Sequence, residues 1–273
     1  MGPLTKRILV AIPAVALLLF LTFLPQTLPL RLLMFIVTML GLLEFLRLAD
    51  QKKLKTLHVQ GLIALGMALS PWVLKPVVAW DDKAAFLLGL LLLSMTYLWS
   101  KRVLSGLAVS VSVTFFGVAY FALFAGYFFR LLEMSQGCWQ LLLLYCATWA
   151  YDTGGYFAGK KFGKHRLAPV VSPQKSWEGC TGGFALVLVT LFALWKIFPF
   201  YAQEYSAMDI LALSILLSFF GQIGDLVESA IKRSFAAKDS GAFFPGHGGI
   251  FDRIDSLLFN APVLFYYLVV MNK

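Results

Sequence analysis

The sequence predicts an all-α, polytopic integral membrane protein with about nine transmembrane helices, its N-terminus cytoplasmic and its C-terminus on the opposite side. Three observations carry that expectation. Hydrophobic residues make up 60% of the 273 and charged residues 14%, against about 45–50% and about 25% in soluble domains. Apolar runs close to the roughly 20 residues that cross a bilayer recur along the whole chain. The basic residues fall into alternate connecting segments, as the positive-inside rule requires.

The runs lie at 8–24, 29–48, 59–79, 84–99, 104–129, 138–157, 180–199, 209–229 and 256–271, each bounded by polar or turn residues. The first follows Lys6 and Arg7, as a signal peptide would. It is longer than a usual signal-peptide core and runs into Pro25 instead of a small-residue cleavage site, so it reads as a retained span. Pro13 and Pro262 lie inside runs, which neighbouring helices tolerate in a membrane. No internal repeat, low-complexity tract or soluble linker separates the spans. Together they use roughly 180 residues and leave about 90, too few for a separate soluble domain.

With the N-terminus inside, 17 of the 23 Lys and Arg residues face the cytoplasm. They are Lys6 and Arg7; Arg47, Lys52, Lys53 and Lys55; Lys101 and Arg102; Lys160, Lys161, Lys164, Arg166 and Lys175; and Lys232, Arg233, Lys238 and Arg253. The other side keeps Arg31, Lys75, Lys83, Arg130, Lys196 and Lys273. The net charge of +9 therefore reflects orientation and anionic lipid, not nucleic acid. Cys138, Cys146 and Cys180 have neither disulfide-framework nor zinc-site spacing.

Acidic residues sort differently. Seven of the 14, Asp152, Glu178, Asp225, Glu228, Asp239, Asp252 and Asp255, fall in the last two cytoplasmic regions or at the helix ends feeding them. Positive-inside sorting is nearly blind to carboxylates and does not explain this. Carboxylates for a hard cation, cations for phosphate oxygens and glycines that admit backbone N–H groups are the parts of a metal–phosphate site. On a continued eighth helix Gln222, Asp225, Glu228, Ser229 and Lys232 form one polar stripe. The stretch from Gly241 to Gly249 is too rich in Gly and Pro for regular helix. Asp252 and Asp255 then share a face of the ninth helix, where they also suit its dipole.

The run SAIKRSFAAKDSGAFFPGHGGIFDRID, Ser229 to Asp255, resembles the signature of phosphatidate cytidylyltransferases (CDP-diacylglycerol synthases). Ser229, Lys232, Arg233, Lys238, Asp239, His247, Gly248, Gly249, Asp252, Arg253 and Asp255 fill its fixed positions. A second stretch, Tyr151 to Gly179, is similar to the family's Gly-rich segment and its S-P-x-K-[ST]-W-x-G motif, through Ser172, Pro173, Lys175, Ser176, Trp177 and Gly179. Residues 1–140 resemble the family only in hydropathy. They read as a scaffold of transmembrane helices that could carry dimer contacts, and residues 141–273 as a catalytic region whose polar site faces the cytoplasm.

The resemblance implies a Mg²⁺-dependent nucleotidyltransferase of phospholipid biosynthesis, joining CTP and phosphatidic acid into CDP-diacylglycerol and pyrophosphate. It implies a multi-pass protein of the inner membrane, acting as a homodimer. The implied metal ligands are Asp225 and Asp252, with Asp255 and Asp239 as outer partners or ligands of a second cation. Lys232, Arg233, Lys238 and Arg253 would clamp phosphate oxygens. Ser172, Lys175, Ser176, Ser229, Gly248 and Gly249 would bind substrate. His247 is either a catalytic group or a loop residue between glycines, and Asp152 either a nucleotide contact or a helix terminator. Lys160, Lys161 and Lys164 read as a lipid-facing charge run. Two rivals remain open: a CTP-dependent lipid kinase and, in another class, a secondary transporter, which would require discontinuous helices in repeated halves.

Overall fold

The computed structural model describes residues 3–74, 81–98, 106–241 and 248–273. Nine long helices among them coincide with the nine apolar runs. They are α1 (Pro3–Thr22), α2 (Leu28–Gln51), α3 (His58–Leu74), α4 (Asp82–Leu98), α5 (Leu107–Glu133), α6 (Gly137–Phe162), α7 (Trp177–Ile197), α9 (Ala207–Ser234) and α10 (Phe251–Val270), with a short α8 (Pro199–Glu204) after α7. Five, namely α2, α5, α7, α9 and α10, are long and apolar enough to cross a membrane, and shorter apolar helices occupy Ile12–Thr22, His58–Leu74 and Lys83–Met95. The chain is thus a helical, multi-pass membrane protein. Lys101, Arg102 and His247 lie outside the described residues.

One element departs from the all-α expectation. β1 (Arg166–Ala168) and β2 (Ser172–Ser176) form an antiparallel hairpin, with Arg166 opposite Ser176 and Ala168 opposite Ser172. Strands this short in a charged loop carry no readable alternation, so hydropathy passes over them.

The chain divides into two compact units, Met1–Arg130 with Ser234–Asp252, and Leu131–Arg233 with Arg253–Lys273. In the first, Leu42, Leu46, Leu65 and Phe121 are fully buried. Helices α3 and α4 touch along their backbones, since a Cβ on Gly89 would stand 2.6 Å from the Ala64 carbonyl oxygen. Asp50 ends α2 by accepting from the Thr56 amide (2.6 Å), the Thr56 hydroxyl (2.8 Å) and His58 Nε2 (2.8 Å). Lys53 and Lys55 turn the intervening loop with φ of 60° and 50°.

In the second unit α6 and α7 pack against each other, and α10 is tied to α6 where Asn260 Nδ2 donates to Thr148 Oγ1 (3.1 Å). Helix α9 starts with a reciprocal cap: Ser206 Oγ accepts from the Asp209 amide (3.2 Å) and Asp209 Oδ2 accepts from the Ser206 amide (2.7 Å). Tyr267 Oη (2.5 Å) and Lys273 Nζ (2.9 Å) also donate to Asp209, which anchors the end of α10 at the start of α9.

Candidate functional site

Glycine brings α6 and α7 together. A Cβ on Gly182 would stand 2.1 Å from that of Ala158, and one on Gly154 would stand 2.6 Å from the Gly182 carbonyl oxygen. Without water to drive association inside a bilayer, such small residues let backbones approach and gain van der Waals contact. Gly163 ends α6, and a Cβ there would press on Ser176 Oγ at 2.7 Å. Ser176 is buried and is the N-cap of α7, accepting from the Gly179 amide at 3.1 Å. Glu178 in the first turn of α7 takes the amides of Lys164 (3.1 Å) and His165 (3.2 Å) and His165 Nδ1 (2.6 Å). The hairpin is thereby fixed at its root.

A cleft of about 560 Å³ opens beside this junction. Its walls include Asp152, Gly155, Gly159, Lys160, Arg166, Ser172, Lys175, Ser176, Gln222 and Asp225. The size falls within the roughly 300–1,000 Å³ of small-molecule sites. Lys175 closes one side through an ion pair with Asp225, Nζ to Oδ2 2.5 Å, both side chains partly shielded from solvent. Tyr151 Oη donates to Gln222 Oε1 at 3.0 Å, joining α6 to α9 in the wall of the cleft.

Around Asp225 the acidic residues converge. One oxygen each from Asp225, Glu228 and Asp255 lies within 4.8 Å of the other two. Glu228 pairs with Lys232 one turn on, Oε2 to Nζ 2.8 Å, and is 1% exposed. Asp255 reaches the group because α10 crosses α9 at a glycine: a Cβ on Gly224 would stand 2.8 Å from the Asp255 carbonyl oxygen. Asp152 is electrostatically coupled to Asp225, Lys175 and Arg253. Ser229 Oγ donates to Asp225 Oδ1 at 3.4 Å, and Arg233 Nε donates to the Val171 carbonyl of the hairpin turn at 3.3 Å. Three carboxylates make an all-oxygen donor set, which fits a hard divalent cation and not a soft one.

The remaining signature residues belong to the first unit. Lys238 and Asp239 are exposed. Asp252 Oδ2 accepts from the Ser240 amide (3.0 Å), the Ser240 hydroxyl (3.1 Å) and the Gly249 amide (2.8 Å). Gly248 has φ of +80°, and a Cβ there would stand 2.6 Å from Asp252 Oδ2, so glycine is needed for both conformation and space. Of the two ligands named from the sequence, Asp225 belongs to the oxygen trio, while Asp252 holds the backbone that precedes α10. His247 lies outside the described residues.

Sequence reasoning did not single out Glu228 as a site residue, although its place one turn from Asp225 on the polar stripe was the available signal. Gln222 and Tyr151 also escaped it. Gln222 shared the polar stripe with Glu228, whereas a tyrosine in an apolar helix carries no signal until its partner is in view.

The Cytidylyltransferase family profile matches residues 5–271. The chain is 36% identical over 282 residues to the phosphatidate cytidylyltransferase of Bacillus subtilis (strain 168), covering 98% of both chains. It is 36% identical over 251 residues to that of Staphylococcus aureus (strain COL), covering 87% of this chain and 90% of the relative. Staphylococcus saprophyticus has a relative of the same name, 34% identical over 240 residues, covering 85% of this chain and 87% of the other. A match that runs through α1 to α10 takes in the cleft, the carboxylates and the helices that carry them, and on it the chain belongs to the cytidylyltransferase family.

Proposed function

We propose that this chain joins CTP and phosphatidic acid into CDP-diacylglycerol and pyrophosphate. The observation that carries the reading is the Lys175–Asp225 ion pair at 2.5 Å, which joins the Tyr151–Gly179 stretch to the turn of α9 just before the signature at one cleft. An ionised oxygen of the phosphatidate phosphate forms a bond to the α-phosphorus of CTP. The bond from that phosphorus to the bridging oxygen breaks, and pyrophosphate leaves with the electron pair. The attacking phosphate is already charged, so no strong general base is needed; positioning and charge neutralisation suffice.

Lys160, Arg166 and Lys175 line the cleft and would neutralise the triphosphate, while Gly155 and Gly159 let it approach the backbone. Asp225, Glu228 and Asp255 would hold Mg²⁺. When bound it would supply Lewis-acid neutralisation of phosphate charge. Lys232, Arg233, Lys238 and Arg253 serve as further phosphate contacts in this reading, with Ser172, Ser176 and Ser229 near the substrate. The nine long helices are taken as nine spans of the inner membrane, N-terminus inside, which puts the cleft at the cytoplasmic face where 17 of 23 cations gather. The functional unit is a homodimer, which the mass of the purified complex would check.

The test is product analysis with phosphatidic acid and purified protein. CTP labelled at the α-phosphate should place label in lipid, and CTP labelled at the γ-phosphate should not. Lipid labelled only from the γ-position would make the protein a kinase and end this reading.

A further inference from the structure

In a helix facing lipid, a carboxylate is tolerated only when it is paired or hydrogen-bonded. Glu44 sits in α2 at 7% exposure, remote in sequence from the acidic stretches that mark the site. Its Oε2 accepts from the Ser240 hydroxyl at 2.8 Å and from the Phe251 amide at 3.0 Å. Phe251 opens α10, and its amide is one of the N–H groups that a helix start leaves without an intrahelical acceptor. Ser240 in turn donates its amide to Asp252 Oδ2 at 3.0 Å, and its one hydroxyl hydrogen is shared between Glu44 and Asp252, the Glu44 contact being the shorter.

The glycines of the signature make room for this contact. A Cβ on Gly241 would stand 2.6 Å from Glu44 Oε1, and one on Gly249 would stand 2.3 Å from Oε2. The ring of Phe45, next in α2, meets Phe235 at 5.7 Å and Phe251 at 6.5 Å between centroids. Glu44 and Phe45 thus grip both ends of the stretch that leads from Ser234 into α10.

We infer that Glu44 is a positioning residue for the nucleotidyl transfer, holding the first turn of α10 and with it Asp252. It rests on the proposed function. Glu44 would then act from α2 on the first turn of α10, through Ser240 and the Phe251 amide. The Glu44 carboxylate contacts Ser240, Phe251 and the glycines, so its effect should be on kcat and not on capture of CTP.

The test compares Glu44→Ala, Glu44→Gln and Ser240→Ala with the wild-type full-length chain in the same bilayers, each normalised to inserted protein. Loss of one charge-assisted hydrogen-bond acceptor at a helix start should lower kcat by about tenfold or more. The KM for CTP should stay within about twofold. Glu44→Gln, which keeps an acceptor oxygen, should recover part of the loss. Hydrogen exchange at the Phe251 and Gly249 amides should rise in the same order. If Glu44→Ala does not insert, Glu44→Gln and Ser240→Ala decide the matter. Wild-type kcat and wild-type exchange in the variants that insert would overturn the inference, as would a rise in KM with kcat unchanged. Failure of the wild-type chain to label lipid from α-labelled CTP would instead sink the proposed function.

Discussion

Removing the Lys175 ammonium, as Lys175→Met, probes the contact on which the site is built. At 2.5 Å and an effective dielectric constant near 20 the bare attraction to Asp225 is about 6–7 kcal/mol. The side chains retain 19% and 32% exposure, and both ions were desolvated to meet, so the net value is far smaller. A hydrogen bond between charged groups is worth about 1.5–3 kcal/mol. If Lys175 only orients Asp225, turnover should fall about 10- to 150-fold, the same free energy expressed as a rate. If Lys175 also donates to the reacting phosphates, it is lost as a donor to developing charge as well, a further factor of about 10²–10³. The assay is transfer of α-label from CTP into lipid by inserted protein, run beside Asp225→Asn and the double variant. A purely mutual role makes the double variant no worse than Asp225→Asn alone, whereas a phosphate contact makes it worse than either. Turnover of Lys175→Met within about twofold of wild type, less than any charged hydrogen bond contributes, would refute the reasoning.

Glu228→Gln should raise the half-saturating Mg²⁺ concentration about tenfold or more, measured by titrating Mg²⁺ at fixed CTP; an unchanged requirement would remove Glu228 from the proposed ligand set. Gly182→Val should destabilise by about 1–3 kcal/mol through overpacking against Ala158, seen as a lower thermal midpoint in detergent; a wild-type midpoint would mean that α6 and α7 are not in contact there. Lys53→Ala, in the loop after α2, should leave turnover unchanged, and a collapse in an inserted variant would show that the site extends into that loop.

Helix positions were legible because each buries or exposes its apolar side chains as one uninterrupted run. The ends were less so. A hydropathy run fades where charges cluster, but α9 continues to Ser234 and α6 to Phe162, because polar residues there keep their helical hydrogen bonds. Glu228 itself lies inside the 209–229 run, and it was missed as a ligand because Asp255 comes to it only in the fold. The hairpin could not be read from Arg166–Ser176, since its fold depends on Glu178 and Ser176 at the root of α7. Glu44 lies inside the second run, 29–48, where nothing in the local sequence marks it. Its partner Ser240 lies 196 positions away, beyond any periodicity argument.

The chemistry and the packing draw on the same glycines. Gly224 lets α10 bring Asp255 to Asp225, Gly154 and Gly182 close α6 on α7 beside the cleft, and Gly241 and Gly249 admit Glu44 to the start of α10. In water such contacts could be carried by burying larger apolar side chains. In a bilayer the surrounding lipid is as apolar as leucine, so close backbone contact and hydrogen bonds must hold the helices instead. Charged groups are costly in lipid unless paired, and a close crossing supplies the partners at a distance that larger residues would not allow. In the proposed function, lipid phosphate would therefore bind where glycine crossings let carboxylates and cations meet. On that reading a glycine at such a crossing positions the charges beside it, and its substitution should separate helices and candidate catalytic groups in a single step.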